Sequence, residues 1–199
     1  MKNIELEFRS EVSAKKFGQL LKILRGKCIL ETHTKRLSIM FLGVISKNSY
    51  DIRIRVNNKR KAEIVLKKGD FHAHDRVEIA YPILKKEIIP LSKIFQQFNF
   101  NQKVTERETF KFDLHDKINI ALARANKISY IEIEKMSDRH SMRKDKRELL
   151  AVLKSIGIEP IKSRKEFDNL CNRLTKKADW IFRGSKEGYK KLESKIMAY

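Results

Sequence analysis

The chain has 199 residues, of which 41% are hydrophobic, so it is long enough and apolar enough to fold around a core of its own. Its 45 Lys and Arg residues against 25 Asp and Glu residues give a formal net charge of +20. This excess favours an anionic partner such as a nucleotide, a polyphosphate, a nucleic acid or a membrane surface, although a Lys-rich proteome would explain it equally well. No apolar run approaches the roughly 18–20 residues of a transmembrane helix, and no apolar leader opens the chain.

The two cysteines, Cys28 and Cys171, stand far apart and form no C-x-x-C pair. This usage indicates neither a disulfide framework nor a zinc site. We therefore expect a cytoplasmic protein in a reducing environment.

The first segment with a clear period is residues 4–9, where Ile, Leu and Phe alternate with two Glu and one Arg. The same alternation returns at residues 51–56 and 130–134. It predicts β-strands with one apolar and one charged face. Such strands could line a shared polar lumen under flanking helices, with acidic side chains on one wall and basic side chains on another. A lumen of this kind suits a divalent metal bound to a polyphosphate.

The remaining elements follow from periodicity and from capping residues. Ser13 is predicted to cap a helix that Gly26 closes, and Pro90 to begin a second helix. From Ser137 onward the pattern is helical, ending in an amphipathic segment at about residues 185–197. Further strands are predicted at residues 28–45, 51–56, 62–67, 76–81, 104–114, 117–123 and 129–135. The order predicts an α+β chain dominated by antiparallel pairing.

In this order the strands resemble the CYTH domains, also called triphosphate tunnel metalloenzymes, whose first strand carries an E-x-E-x-K motif. The matching segments are Glu5-Leu6-Glu7-Phe8-Arg9, Ile52-Arg53-Ile54-Arg55, Lys67-Lys68-Gly69, Arg76-Val77-Glu78, residues 105–110, Glu132-Ile133-Glu134 and residues 155–167. The resemblance spans about residues 2–175. It implies an antiparallel eight-stranded β tunnel or barrel flanked by helices, formed by residues 1–175, with residues 176–199 as a helical C-terminal extension.

The resemblance also implies a function. The family includes inorganic triphosphatases, thiamine triphosphatases and class IV adenylyl cyclases. We therefore expect a metal-dependent phosphohydrolase that acts on inorganic triphosphate, thiamine triphosphate or ATP with Mg²⁺ or Mn²⁺. The alternatives are an adenylyl cyclase, which converts ATP to cyclic AMP and pyrophosphate, and a catalytically degraded module that binds a polyphosphate, a nucleotide or an RNA 5′ end. No membrane partner is expected.

The matched positions give a candidate site. The phosphate-binding residues implied are Arg9, Arg53, Arg55, Lys67, Arg76, Arg107 and Lys165. The metal-binding residues implied are Glu5, Glu7, Glu132 and Glu134. Glu78 or Glu7 is the candidate catalytic base that orients a water. Arg53 and Arg55 are two residues apart on a strand and therefore share a face, as phosphate clamps should.

Three positions depart from the family pattern, and each bears on catalysis. Arg9 stands where lysine is usual, Thr105 where lysine is common, and Ala123 where an aspartate often helps to hold metal. The loss of this aspartate favours the non-catalytic alternative. His72 and His74 have a strand-like H-x-H spacing that could bind a metal, but an exposed turn is the favoured interpretation. The basic run at residues 139–147 is expected to be a solvated helix start, or an RNA contact, and no P-loop is present.

Overall fold

The computed structural model describes residues 4–69, 77–114 and 117–199. The strands are β1 (Ile4–Val12), β2 (Ile29–Ile45), β3 (Asn48–Asn57), β4 (Ala62–Lys68), β5 (Val77–Ile83), β6 (Asn101–Leu114), β7 (Ile118–Ala125), β8 (Ile128–Ser137) and β9 (Trp180–Ile181). The α-helices are α1 (Ala14–Lys27), α2 (Ile88–Gln96), α3 (Met142–Ser155), α4 (Arg164–Lys177) and α5 (Lys186–Met197). A short 3₁₀ helix, Lys85–Glu87, precedes α2. These elements confirm the predicted α+β class.

The strands pair antiparallel in the order β1-β8-β7-β6-β2-β3-β4-β5, and the two-residue β9 pairs with β6. In the part of the chain that the structure describes, this order begins at β1 and ends at β5. The eight long strands match the eight predicted from the sequence. Side chains alternate along each strand, and in β1 and β3 the buried apolar residues lie on one face.

The chain divides into two compact units. The first comprises the described residues up to His33 together with Glu108–Lys177. Its core forms where the apolar face of β1, β6, β7 and β8 packs against α1 and α3. The buried side chains include Leu6, Phe112, Ile131, Ile133, Leu20, Leu24, Leu149 and Leu153. The apolar stripe of α1 is thus the face that covers the sheet.

The second unit comprises Thr34–Arg107 and Ala178–Tyr199. Its core joins the apolar face of β2 and β3 to α2 and to the C-terminal segment. The buried side chains include Ile39, Phe41, Ile54, Val56, Val104, Ile88, Phe182, Leu192 and Ile196. Helix α5 therefore completes a core built mainly from residues more than a hundred positions earlier. The predicted boundary at residue 175 stays a prediction.

Two helix ends differ from their predicted positions. Ser13 caps α1 as predicted, accepting a hydrogen bond from the backbone N–H of Lys16 at 3.2 Å. The helix nevertheless runs through Gly26 to Lys27, because Gly26 does not adopt the left-handed backbone of a closing glycine. Helix α2 begins two residues before Pro90, which therefore lies in the first turn, where its missing N–H is not needed.

No helix of the described residues is both long and apolar enough to pass through a membrane.

The packing of α5 gives a first prediction. Leu192 is fully buried in the core of the second unit, so Leu192→Ala should lower the free energy of unfolding by about 2–4 kcal/mol. The control is Met197→Ala at the exposed end of the same helix, where 78% of the residue is accessible. Guanidinium denaturation of both variants measures the difference, and equal stabilities would show that α5 is not part of the core.

Candidate active site

Four glutamates of the first unit lie on one face of two paired strands. In the register of β1 and β8, Glu7 lies opposite Glu134 and Arg9 opposite Glu132, with Glu5 two residues before Glu7. The opposite face of the same strands carries Leu6, Ile131 and Ile133, which are buried in the core. We call Glu5, Glu7, Glu132 and Glu134 the acidic cluster. The period of each strand predicted that Glu5 and Glu7 share one face and that Glu132 and Glu134 share another. The register of β1 and β8 brings these two pairs side by side.

Arg9 lies within the acidic cluster rather than apart from it. Its Nη2 atom is 2.8 Å from Oε1 of Glu7, and it also forms an ion pair with Glu132. The guanidinium carbon lies 5.5 Å from the ring centroid of Tyr130 and 5.1 Å from that of Phe167, both cation–π distances. Burial alone would lower the pKa of Arg9, but the carboxylates of Glu132 and Glu7 outweigh this effect and raise it. A phosphate that bound Arg9 would have to compete with Glu7 and Glu132 for its guanidinium group.

Glu134 shows the repulsion within the cluster most directly. Burial, and then the charges of Glu5, Glu132 and Glu7, raise the pKa of Glu134 to about 7. Lys111 on β6, whose Nζ atom lies 3.6 Å from Oε1 of Glu134, offsets part of this effect. At Glu134, burial and the neighbouring carboxylates therefore outweigh the effect of Lys111.

The donor chemistry of the acidic cluster fits a divalent metal ion, because Mg²⁺ and Mn²⁺ prefer carboxylate oxygens and water. A divalent cation would also relieve the repulsion that acts on Glu134. The side chains are not arranged as a complete ligand set: among the described residues, no group of three or more His, Cys, Asp or Glu is placed to hold a metal ion. Arg9 already bridges Glu7 and Glu132 at one end.

Basic side chains gather on the polar face of the second unit. Arg53 and Arg55 share a face of β3, as predicted, and Lys67 lies on β4 opposite Asp51. Arg53 is held by two hydrogen bonds to the buried carboxylate of Asp51, at 2.8 and 2.5 Å. Arg36 on β2, which no sequence motif indicated, acts electrostatically on Arg55. We call Arg36, Arg53, Arg55 and Lys67 the basic cluster.

Arg55 is the member of the basic cluster that is buried and whose charge its surroundings disfavour. Its side chain is only 9% exposed, and its Nε atom is buried without a hydrogen-bond partner. Burial and the neighbouring charges of Arg36 and Arg53 lower the pKa of Arg55 to about 10, although Glu63 and Glu78 oppose the shift. Its Nη1 atom lies 3.4 Å from Glu63 and 4.0 Å from Glu78, so neither carboxylate fully balances it.

Glu78, the predicted catalytic base, forms an ion pair with Lys67 at 2.5 Å. Burial alone would raise the pKa of Glu78, but Lys67, Arg55 and Arg53 outweigh it and lower the pKa below its usual value. A carboxylate that holds protons so weakly suits the orientation of a water better than proton abstraction. Its catalytic role stays a prediction.

The remaining predicted phosphate ligands lie in different surroundings. Arg107 forms an ion pair at 2.8 Å with Asp179, which also binds Lys103 at 3.0 Å. The side chain of Asp179 is fully buried, and the sequence analysis did not single it out. Lys165 is exposed on α4. Arg76 lies outside the described residues, as do His72 and His74.

Both remaining departures from the family pattern lie in buried surroundings. Ala123 lies between Tyr130 of β8 and Thr109 of β6 in the sheet register, and it is 2% exposed. Thr105 is 4% exposed. Neither side chain can supply a charge to a metal or a phosphate.

A groove of about 670 Å³ lies beside α4 in the first unit. It begins at Ser10 and Glu11, which follow Arg9 on β1, and it is lined on α4 by Asn169, Asn172 and Arg173. None of the predicted site residues lines it. The acidic and basic clusters are therefore recognised as candidate sites by their charges and ion pairs, and neither cluster lines this groove.

No protein-family model matches the sequence, and no curated protein matches it. Solved structures do match. A conserved hypothetical protein from Pyrococcus furiosus aligns with a TM-score of 0.62 at 15% identity, over 81% of this chain and 98% of that chain. A proposed adenylyl cyclase from Hippeastrum, described as having a dominant triphosphatase activity, aligns with a TM-score of 0.53 at 15% identity, over 85% and 95%. The capping-enzyme triphosphatase of Mimivirus aligns with a TM-score of 0.51 at 14% identity, over 77% and 88%.

The chain has the fold of the triphosphate tunnel metalloenzymes. This confirms the resemblance seen in the order of the sequence motifs. Because these identities are only 14–15%, the likeness establishes the fold and not the reaction.

The raised pKa of Glu134 gives a prediction for stability. The folded protein holds the Glu134 proton more tightly than the unfolded chain does, so this group destabilises the fold as pH rises from about 4.5 through about 7. In EDTA, the wild type should lose roughly 1–2 kcal/mol of unfolding free energy between pH 5 and pH 8 relative to Glu134→Gln. Urea denaturation at both pH values measures this loss.

The control for this prediction is Glu193→Gln, which removes an exposed carboxylate of α5 and should follow the wild type. If the wild type and Glu134→Gln show the same pH dependence, Glu134 is not under the repulsion described above.

Proposed function

We propose that this CYTH-type chain binds a triphosphate-containing molecule and hydrolyses one of its phosphoanhydride bonds with the help of Mg²⁺ or Mn²⁺. The observation that carries the proposal is the state of Arg55, a buried guanidinium whose pKa is lowered to about 10 and whose Nε has no partner. A buried cation that its surroundings disfavour is stabilised when an anion binds beside it.

The basic cluster suits several phosphate oxygens rather than one. Arg53 and Arg55 point to the same face of β3, and Arg36 lies close enough to disfavour the charge of Arg55. Guanidinium groups bind phosphate oxygens through two parallel hydrogen bonds, so adjacent arginines can bind adjacent phosphates. A triphosphate carries three to five negative charges, enough to take the place of several carboxylates that pair with these cations.

Within the proposed reaction, the roles of the chain's own residues follow from their contacts. Arg55 and Lys67 would bind phosphate oxygens and stabilise charge that develops on them. Arg53, fixed by Asp51, would orient the chain of phosphates. Glu78, ionised beside Lys67, would orient the attacking water for in-line displacement.

The acidic cluster is the proposed metal site. Glu5, Glu7, Glu132 and Glu134 would supply carboxylate oxygens, with Glu7 and Glu132 shared with Arg9. A divalent ion bound there would supply positive charge and Lewis acidity. The raised pKa of Glu134 supports this role, because it reports carboxylates that a cation would stabilise.

A binding module without turnover is the second candidate. Ala123, at the position of a family aspartate, offers no ligand, and the described glutamates do not form a complete ligand set. Such a module would bind a polyphosphate, a nucleotide or an RNA 5′ end through the basic cluster alone.

Binding is tested first with Arg55→Ala. We expect inorganic triphosphate to bind this variant about 10- to 100-fold more weakly, because a hydrogen bond to a charged group contributes about 1.5–3 kcal/mol. Isothermal titration in EDTA measures the dissociation constant without turnover. Arg55 is preferred over Arg53, because removing Arg53 would leave the buried carboxylate of Asp51 without its bidentate partner and would destabilise the fold.

The matched control is Arg183→Ala, which removes an exposed arginine from the same unit and should leave the dissociation constant within a factor of about two. An unchanged constant in Arg55→Ala would remove the basic cluster as the phosphate site.

The reaction itself is tested by product analysis. The wild type is incubated with inorganic triphosphate, thiamine triphosphate and ATP, each with Mg²⁺ or Mn²⁺, and the products are resolved by phosphorus NMR. We expect orthophosphate, at a rate that falls at least tenfold in Glu78→Gln. Cyclic AMP with pyrophosphate would instead establish a cyclase, and binding without any product would establish the module that only binds.

A further inference from the structure

Helix α3 turns its acidic side chains inward and its basic side chains outward. Asp145 is buried, and it and Glu148 both form ion pairs with Lys135 of β8. The exposed charged residues of the helix are all basic: Arg143, Lys144, Lys146, Arg147 and Lys154. Among the described residues, no carboxylate forms an ion pair with any of these five. The outward side of α3 is therefore cationic without internal neutralisation.

Helix α1 has the same one-sided charge. It contains no acidic residue, and its exposed charged residues are Lys15, Lys22, Arg25 and Lys27. Both helices cover the same apolar sheet face of the first unit. The ammonium group of Lys16 donates a hydrogen bond at 2.9 Å to the carbonyl of Ile156, the residue that follows α3, so the two helices meet there. We call the exposed basic residues of α1 and α3 the outer basic face.

The other two helices of similar length do not separate their charges in this way. Helix α4 exposes Glu166 among its basic residues, and α5 exposes Glu187 and Glu193 among its lysines. A general excess of lysine would raise the positive charge of every helix and leave acidic residues mixed with it. The absence of exposed acidic residues from α1 and α3 is therefore a property of these two helices and not of the composition.

We propose that the outer basic face binds the phosphate backbone of a nucleic-acid duplex without reading its sequence. Arg143, Arg147 and Lys154 lie on one side of α3, because residues 4 and 11 positions apart fall within about 40° of each other around a helix. A helix of 14 residues is about 21 Å long, and a duplex carries one negative charge per roughly 1.7 Å of its axis. One such helix can therefore contact several phosphates at once.

The side chains that these two helices expose favour a duplex over the other large polyanions. Neither helix exposes an aromatic ring on which the bases of a single strand would stack. Neither exposes a large apolar side chain, and their apolar stripes are buried against the sheet, so they have nothing to insert into a bilayer. Binding to the phosphates of a duplex needs only charge, which is what this face offers.

The outer basic face is separate from the proposed triphosphate site. The acidic cluster lies on the face of β1 and β8 opposite the one that α1 and α3 cover. A polyanion on the outer side of these helices is thus kept from the glutamates by the core. The inference goes beyond the proposed function and does not rest on the proposed metal or the proposed reaction.

The test is fluorescence anisotropy with RNA and DNA duplexes of the same sequence, about 20 base pairs long. Both have 5′-hydroxyl ends, so that they offer no triphosphate to the basic cluster. We expect a dissociation constant of about 1–100 μM near physiological salt. The triple variant Arg143→Gln, Arg147→Gln, Lys154→Gln should bind at least tenfold more weakly, and its salt dependence should be flatter, because each lost phosphate contact lowers the slope by about 0.9.

The matched control removes three exposed basic residues of the second unit, as Arg183→Gln, Lys186→Gln, Lys190→Gln. It lowers the net charge equally and should bind duplex within about threefold of the wild type. Glutamine is a good helix former, so both triple variants should fold, which circular dichroism checks. If the α3 variant does not fold, Lys15→Gln, Lys22→Gln tests the same face from α1.

Equal binding of RNA and DNA supports contacts to the backbone alone, and a preference above about tenfold identifies the preferred duplex as the source of the phosphates. Three results would overturn the inference. They are no binding of either duplex at about 100 μM protein, an equal loss of affinity in both triple variants, or binding to phosphatidylserine vesicles, lost in the α3 variant, by a protein that binds no duplex. A wild type that binds duplex without hydrolysing triphosphate rejects the proposed reaction and leaves this surface intact.

Discussion

The alternation of side chains along paired strands places like charges side by side, and the properties of both clusters depend on this constraint. Strands β1, β3 and β8 bury apolar residues in a core, so their register cannot slip by one residue without burying charges and exposing that core. Glu7 must therefore lie beside Glu134, and Arg53 beside Arg55. Charges fixed in this way need either an internal partner or a ligand.

In both clusters, internal ion pairs neutralise some residues and leave the charge of another disfavoured. In the first unit Arg9 neutralises one end of the acidic cluster, and Glu134 keeps a raised pKa at the other. In the second unit Asp51 neutralises Arg53, while Arg55 keeps a lowered pKa. The residue whose charge is most disfavoured is an acid, Glu134, in the first unit and a base, Arg55, in the second. This difference is expected if the first group binds a cation and the second an anion.

Periodicity predicted the fold well because most elements form around their own apolar pattern. All eight long strands and the capping role of Ser13 could be predicted from local sequence. The end of α1 and the strand β9 could not, and β9 depends on a tertiary contact. Gly26 stays helical although a glycine often closes a helix, and β9 exists only because Trp180 pairs with Val104, distant in the sequence.

The sequence predicted which residues belong to the site but not how they pair with one another. This pairing determines which ligands can compete with the internal ion pairs. Arg53, Arg55 and Lys67 were identified from one strand at a time, whereas their partnership with Asp51, Glu63 and Glu78 requires the register across strands. A ligand gains only the difference between its own contacts and the internal ones it displaces. A single phosphate can replace few of these pairs, whereas an anion with several phosphates replaces them together and loses rotational and translational freedom only once. Internal pairing of this kind therefore selects for highly charged, extended anions over small ones.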